Sequence, residues 1–145
     1  MSVTVGALIV LFYSIAEVSQ SVHVNLKATT ATVGQNITLQ CQALHKKLIT
    51  VVEWSRADLQ DEYVFLFLDG HSDRGKQHPY FIDRVDLQDK QMKDGDVSLI
   101  LTNVNINDTG TYECRVATGT NRKRRAHLET DPISIIYLHV VPPGE

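Results

Sequence analysis

Ile37, Leu39 and Cys41 alternate with Thr38 and Gln40, the period-two pattern of a strand that buries one face. Further strands follow along the chain. In Val51-Val52-Glu53-Trp54-Ser55, Val52 and Trp54 share a parity that Glu53 does not. Tyr63 to Leu68 is a six-residue apolar run closed by Asp69-Gly70, a turn pair. Lys93-Asp94-Gly95-Asp96 marks another turn and leads into Val97-Ser98-Leu99-Ile100-Leu101, with Val97, Leu99 and Leu101 aligned. Thr111 to Val116 aligns Tyr112, Cys114 and Val116, and Ile133 to Val141 puts Ile136, Leu138 and Val140 in phase. After residue 21 no long stretch carries a 3.6-residue period. Short strands punctuated by turns predict an antiparallel sandwich or barrel.

The first residues follow a different rule. Val3 to Ala16 carries no charge, and as a helix it would span ~21 Å, short of a ~30 Å bilayer core. Small residues follow at the spacing a signal peptidase needs: Ser14 and Ala16, or Ser19 and Ser21. Residues 1–21 therefore read as a secretory signal peptide cleaved after Ala16 or Ser21, although no Lys or Arg precedes the apolar run. A buried strand or helix of the domain is the competing reading. Secretion would place Cys41 and Cys114 in an oxidising compartment, where a bridge persists. Residues 22–141 are expected to form one domain, and Pro142-Pro143-Gly144-Glu145 a linker or the start of a stalk. No second apolar run is long enough to span a membrane. The expected location is secreted or extracellular, on the external side of the plasma membrane if an anchor follows.

Composition narrows the function classes. The 145 residues are 43% hydrophobic and 21% charged, and 14 Lys+Arg against 17 Asp+Glu give a net charge of −3. That balance excludes a strongly basic nucleic-acid binder. Six histidines are present, and His71 and His78 share a polar loop with Asp69 and Asp73. None is spaced from another as a helical zinc pair requires, so no metal or other cofactor is expected. The sequence has no Gly-x-Ser-x-Gly elbow, phosphate-binding glycine loop or Cys–His nucleophile pattern. It does not read as an enzyme.

Trp54 lies 13 positions after Cys41, Tyr112 two before Cys114, and the cysteines are 73 apart. Cys, Trp, Tyr and Cys at such spacings resemble an immunoglobulin domain. The run Gly95 to Val104, continuing Asn107-Asp108-Thr109-Gly110-Thr111-Tyr112-Glu113-Cys114, resembles the E strand, E–F turn and F strand of the variable type. The resemblance implies a Greek-key sandwich of two antiparallel sheets with a Cys41–Cys114 bridge between them. It also implies that Trp54 packs on the sulfurs, that the Tyr112 hydroxyl bonds back to the turn before its strand, and that Arg84 pairs with Asp108. The long cysteine interval leaves room for C′ and C″ strands. The last strand lacks the Phe-Gly-x-Gly bulge of antigen receptors. The sequence is closer to the butyrophilin, myelin-oligodendrocyte-glycoprotein and costimulatory-ligand group, or to tight-junction adhesion molecules.

Such a family implies binding to another immunoglobulin-type cell-surface protein, with modulation of immune-receptor signalling as the leading reading. Homophilic or heterophilic adhesion, with self-association, is the alternative. Tyr63 to Leu68 falls at C′, so either Tyr63, Phe65 and Phe67 or Val64, Leu66 and Leu68 are expected outside. Val51, Glu53 and Ser55 from strand C and Glu113 and Arg115 from strand F complete the expected partner-binding face. Aspartate at Leu66 or Phe67 is expected to abolish binding without unfolding. The connection from Thr118 to Pro132 carries Arg122-Lys123-Arg124-Arg125: a solvated loop, a contact for an acidic partner, or a convertase cleavage site. Asn36-Ile37-Thr38 and Asn107-Asp108-Thr109 are acceptors for N-glycosylation, both at turns.

Overall fold

The computed structural model describes residues 24–44, 48–119 and 131–144. The expected signal peptide and the Arg122–Arg125 cluster lie outside the described residues. Among these there are nine strands: β1 (Asn25–Thr32), β2 (Ile37–Leu39), β3 (Ile49–Arg56), β4 (Phe65–Leu68), β5 (His71–Ser72), β6 (Val85–Leu87), β7 (Leu99–Leu101), β8 (Gly110–Thr118) and β9 (Ser134–Val141). They form a six-stranded front sheet, β1-β9-β8-β3-β4-β5, and a three-stranded back sheet, β2-β7-β6. All neighbours are antiparallel except β1 and β9.

The period-two pattern explains where the core sits. Val52 and Trp54 of β3, Tyr112 and Cys114 of β8, and Ile136, Leu138 and Val140 of β9 turn one buried row backward. Leu39, Leu99, Leu101 and Leu87 of the back sheet meet them, and all belong to one apolar cluster. Full burial of such side chains contributes roughly 1.5–3 kcal/mol each. Cys41, just past β2, is joined to Cys114 in β8 with 6.6 Å between Cα atoms, so the bridge ties the two sheets together. Trp54 stands opposite Cys114 in the β3–β8 register. Its Nε1–H donates to the Val97 carbonyl at 2.9 Å, which satisfies the polar atom of a fully buried indole.

The corner before β8 is held by Asp108, which is fully buried. Arg84 Nη2 donates to Asp108 Oδ2 at 2.6 Å and Nη1 to Oδ1 at 3.1 Å. Oδ2 also accepts from the Asn105 N–H at 2.9 Å, and the Tyr112 hydroxyl donates to the Asp108 carbonyl at 2.6 Å. The guanidinium lies over the Tyr80 ring, 4.9 Å from its centroid. Its hydrogen bond to Asp108 raises the Arg84 pKa. Ionised, doubly hydrogen-bonded partners are what make a buried charge tolerable here.

Three strands are not evident in the hydrophobic pattern. β1 is mostly exposed at the sheet edge, and β5 and β6 are too short to show a period. Conversely, the strand expected from Val97 begins at Leu99. Val97 and Ser98 instead brace the first cysteine: Val97 N–H donates to the Cys41 carbonyl at 3.0 Å, and Cys41 N–H to Ser98 Oγ at 3.0 Å. Among the described residues no helix is long and apolar enough to cross a membrane.

Candidate functional site

Inward burial of Val52 and Trp54 turns Val51, Glu53 and Ser55 to the outer face of the front sheet. Cross-strand partners share a face, so the register extends this row on both sides. On β8, Ala117, Arg115 and Glu113 stand opposite Val51, Glu53 and Ser55. On β4, Leu68 and Leu66 stand opposite Val51 and Glu53. On β9, Ile135 and Tyr137 follow Glu113 and Thr111, and β1 adds Leu26 and Ala28 beside them. The outcome is a continuous face across β1, β9, β8, β3 and β4.

The Tyr63–Leu68 run does not supply an exposed trio. Phe65 and Phe67 pair with Trp54 and Val52 and therefore point into the sandwich, Phe65 buried and Phe67 packed on the core. Val64 is also in the core, because alternation breaks where its N–H bonds the Trp54 carbonyl at 2.9 Å. Leu66 lies on the outer row but is 4% exposed, and Tyr63 is 1% exposed. Only Leu68 of this run, half-buried, offers apolar surface on the outer row. Aspartate at Phe67 would strike the core rather than a partner.

A polar centre sits among these residues. Glu53 is 4% exposed and faces Arg115 across the strands. Arg115 Nη1 donates to Glu113 Oε2 at 2.9 Å. The Tyr63 phenol hydrogen-bonds Glu53; burial first, then the Glu53 charge, raises its pKa well above the usual range. A groove of about 240 Å³ opens beside this centre, lined by Glu53, Ser55, Leu59, Glu62, Glu113 and Arg115 among others. Arg56, also on its wall, is tied down by Asp58, with Nε to Oδ1 at 2.6 Å and Nη2 to Oδ2 at 3.0 Å.

Two buried tyrosines give the fold an alkaline limit. Burial pushes the Tyr112 hydroxyl up to about 12, against the opposing hydrogen bond and charge of Arg56, and Tyr63 is raised too. Below pH ~10 both are neutral folded and unfolded. Above it the unfolded chain ionises first. Stability is therefore expected to fall as pH rises from about 10 to 12. Denaturant melts at pH 9 and pH 11 check this, with absorbance near 295 nm reporting late tyrosine ionisation.

Leu26 is 72% exposed and Tyr137 47%, and neither was singled out from the sequence. The Tyr137 parity was readable, since its neighbours Ile136 and Leu138 are buried. Leu26 had no such signal, because its strand does not alternate. Asn36 and Asn107 are exposed at turns, where Asn36 Oδ1 accepts from the Asn103 N–H at 2.9 Å. Glycan attachment at either nitrogen is compatible with that geometry. Among the described residues no cluster of three or more His, Cys, Asp or Glu side chains is arranged to hold a metal ion.

The sequence model of the immunoglobulin V-set domain matches residues 24–130. Mouse programmed cell death 1 ligand 1 is 30% identical over 102 residues, covering 68% of this chain and 34% of that protein. Mouse V-set domain containing T-cell activation inhibitor 1 is 32% identical over 99 residues, covering 67% and 34%. The chain thus spans about a third of the length of these curated relatives. Among solved structures, bovine butyrophilin superposes with a TM-score of 0.61 at 23% identity, over 80% of this chain and 51% of that one.

Proposed function

Since the chain belongs to the immunoglobulin V-set family, we propose that it is an extracellular recognition module that binds an immunoglobulin-type receptor and modulates immune-cell signalling. The outer face of the front sheet is the binding surface in this reading. The observation that carries it is the make-up of that face: Val51, Leu68, Ala117 and Ile135 are half-buried apolar side chains around the Glu53–Arg115–Glu113 centre. An apolar surface interrupted by a small satisfied polar group suits protein recognition. The names of two relatives, a programmed-cell-death ligand and a T-cell activation inhibitor, support an immune-regulatory setting.

The groove adds a chemical preference. Glu53, Glu62 and Glu113 line it, while its two guanidiniums are engaged, Arg56 with Asp58 and Arg115 with Glu113. A basic or amide donor from the partner fits such a wall better than a carboxylate does. This is recognition, with no catalytic step and no cofactor. Residues 1–21 serve as a signal peptide, Asn36 and Asn107 as glycan acceptors, and Arg122, Lys123, Arg124 and Arg125 as a basic contact for an acidic partner.

A screen of the secreted chain against cell-surface ectodomains tests the reading. Saturable binding to an immunoglobulin-type receptor on lymphocytes is the expected result. Binding confined to non-immune adhesion proteins would overturn it in favour of an adhesion role.

A further inference from the structure

β1 is the outermost strand of the front sheet and pairs with β9 in parallel over its full eight residues. The Asn25 N–H bonds the Ile133 carbonyl at 3.3 Å, and the Val33 N–H bonds the Val141 carbonyl at 3.0 Å. In a parallel ladder the residues bonded to one neighbour alternate with those that point away. Odd-numbered residues from Asn25 to Val33 therefore face β9. The N–H and carbonyl groups of Leu26, Ala28, Thr30 and Thr32 face outward. Thr32 is already satisfied, its N–H by Gln35 Oε1 at 2.8 Å and its carbonyl by the Gln35 N–H at 3.1 Å. What remains is a short row of outward donors and acceptors on Leu26, Ala28 and Thr30, carrying an exposed leucine.

That row is complementary to itself. With a two-fold axis through Ala28, antiparallel to a second copy, Ala28 meets the other Ala28, and Leu26 meets Thr30 in both directions. Each of these is a hydrogen-bonded pair, so each outward N–H and carbonyl of the three residues finds a partner. Lys27 is the one charged residue of the strand. It falls opposite Thr29 rather than its own copy, and its Nζ is drawn toward Gln40 Oε1, 3.2 Å away. No like charges oppose each other directly, which is the usual device against edge pairing. We propose that two copies of this chain associate through β1, in the register that centres on Ala28, to make one sheet continuous across the pair.

The two-fold axis lies along the sheet normal, so both outer faces look the same way and stay open. The inference does not depend on the receptor-binding reading: it uses the outward backbone groups of the β1 edge, whereas that reading uses side chains on the outer face of the sheet. Small apolar area and a short ladder make it a weak association, on the order of 10–100 μM.

Cysteine substitution in the secreted full chain reads the register. Paired Ala28 Cα atoms would sit ~5.5 Å apart, within disulfide reach, whereas the two Thr30 positions would be four residues out of step. Ala28→Cys is expected to give covalent dimers on non-reducing gels, with Thr30→Cys at least tenfold lower under the same oxidant. Ala28→Pro removes an N–H that the fold does not use, and is expected to shift sedimentation toward monomer. Equal cross-linking by both cysteine variants, or none by Ala28→Cys, would overturn the proposal. A dimer that persists in folded Ala28→Pro would do the same and would point to another face.

Discussion

Replacing Asp108 by alanine is expected to lower the unfolding free energy by about 3–5 kcal/mol, the range for breaking one side of a buried ion pair. The carboxylate is fully buried, and it accepts from both Arg84 nitrogens and from the Asn105 N–H. Alanine would leave the guanidinium half-buried without its counter-charge and the N–H without an acceptor. A domain with 5–15 kcal/mol of total stability would lose a large part of it. Asp108→Asn keeps acceptor geometry on one oxygen and is expected to lose less. Guanidinium chloride titrations of the two variants, followed by tryptophan fluorescence from Trp54, give the ordering directly.

The second large effect concerns the bridge. Cys41→Ala with Cys114→Ala opens a loop whose ends are 73 positions apart. Chain-entropy reasoning puts the loss at about 4–5 kcal/mol, with strain and residual unfolded structure able to reduce it. The bridge also joins layers that share no backbone hydrogen bond ladder, since β2 pairs with β7 and β8 with β3 and β9. Thermal melts of the double variant against the parent check this, and the expected sign is a large drop in Tm with the same folded spectrum at low temperature.

Much of this architecture is legible in the sequence because burial writes a period of two into the chain. β2, β3, β8 and β9 each expose that period, and Cys41, Trp54, Tyr112 and Cys114 lie on it. The resemblance that these residues carry led directly to the Arg84–Asp108 contact, which spacing alone could not have shown. The candidate face was harder. Tyr63 to Leu68 is apolar at every position, so alternation cannot say which side faces out. The structure uses both sides, sending Val64, Phe65 and Phe67 to the core and folding Tyr63 over Glu53. A lone glutamate in strand C looks solvated in sequence, yet it is buried on the outer face, where the Tyr63 phenol hydrogen-bonds it and Arg115 stands opposite it in the strand register. Edge strand β1 was silent for the opposite reason: with little buried, nothing forces its residues to alternate.

The surface proposed for recognition makes a sharp demand on substitution. Val51 and Leu68 are half-buried on the outer face of the front sheet, and Ile100 has matching exposure on the back sheet. Cell-surface binding of the Val51→Asp, Leu68→Asp and Ile100→Asp chains, each verified as folded by its melting curve, is the most direct measurement. At least a tenfold loss of lymphocyte binding is expected for the first two and none for the third. Undiminished binding by folded Val51→Asp and Leu68→Asp chains, or loss through Ile100→Asp alone, would contradict it.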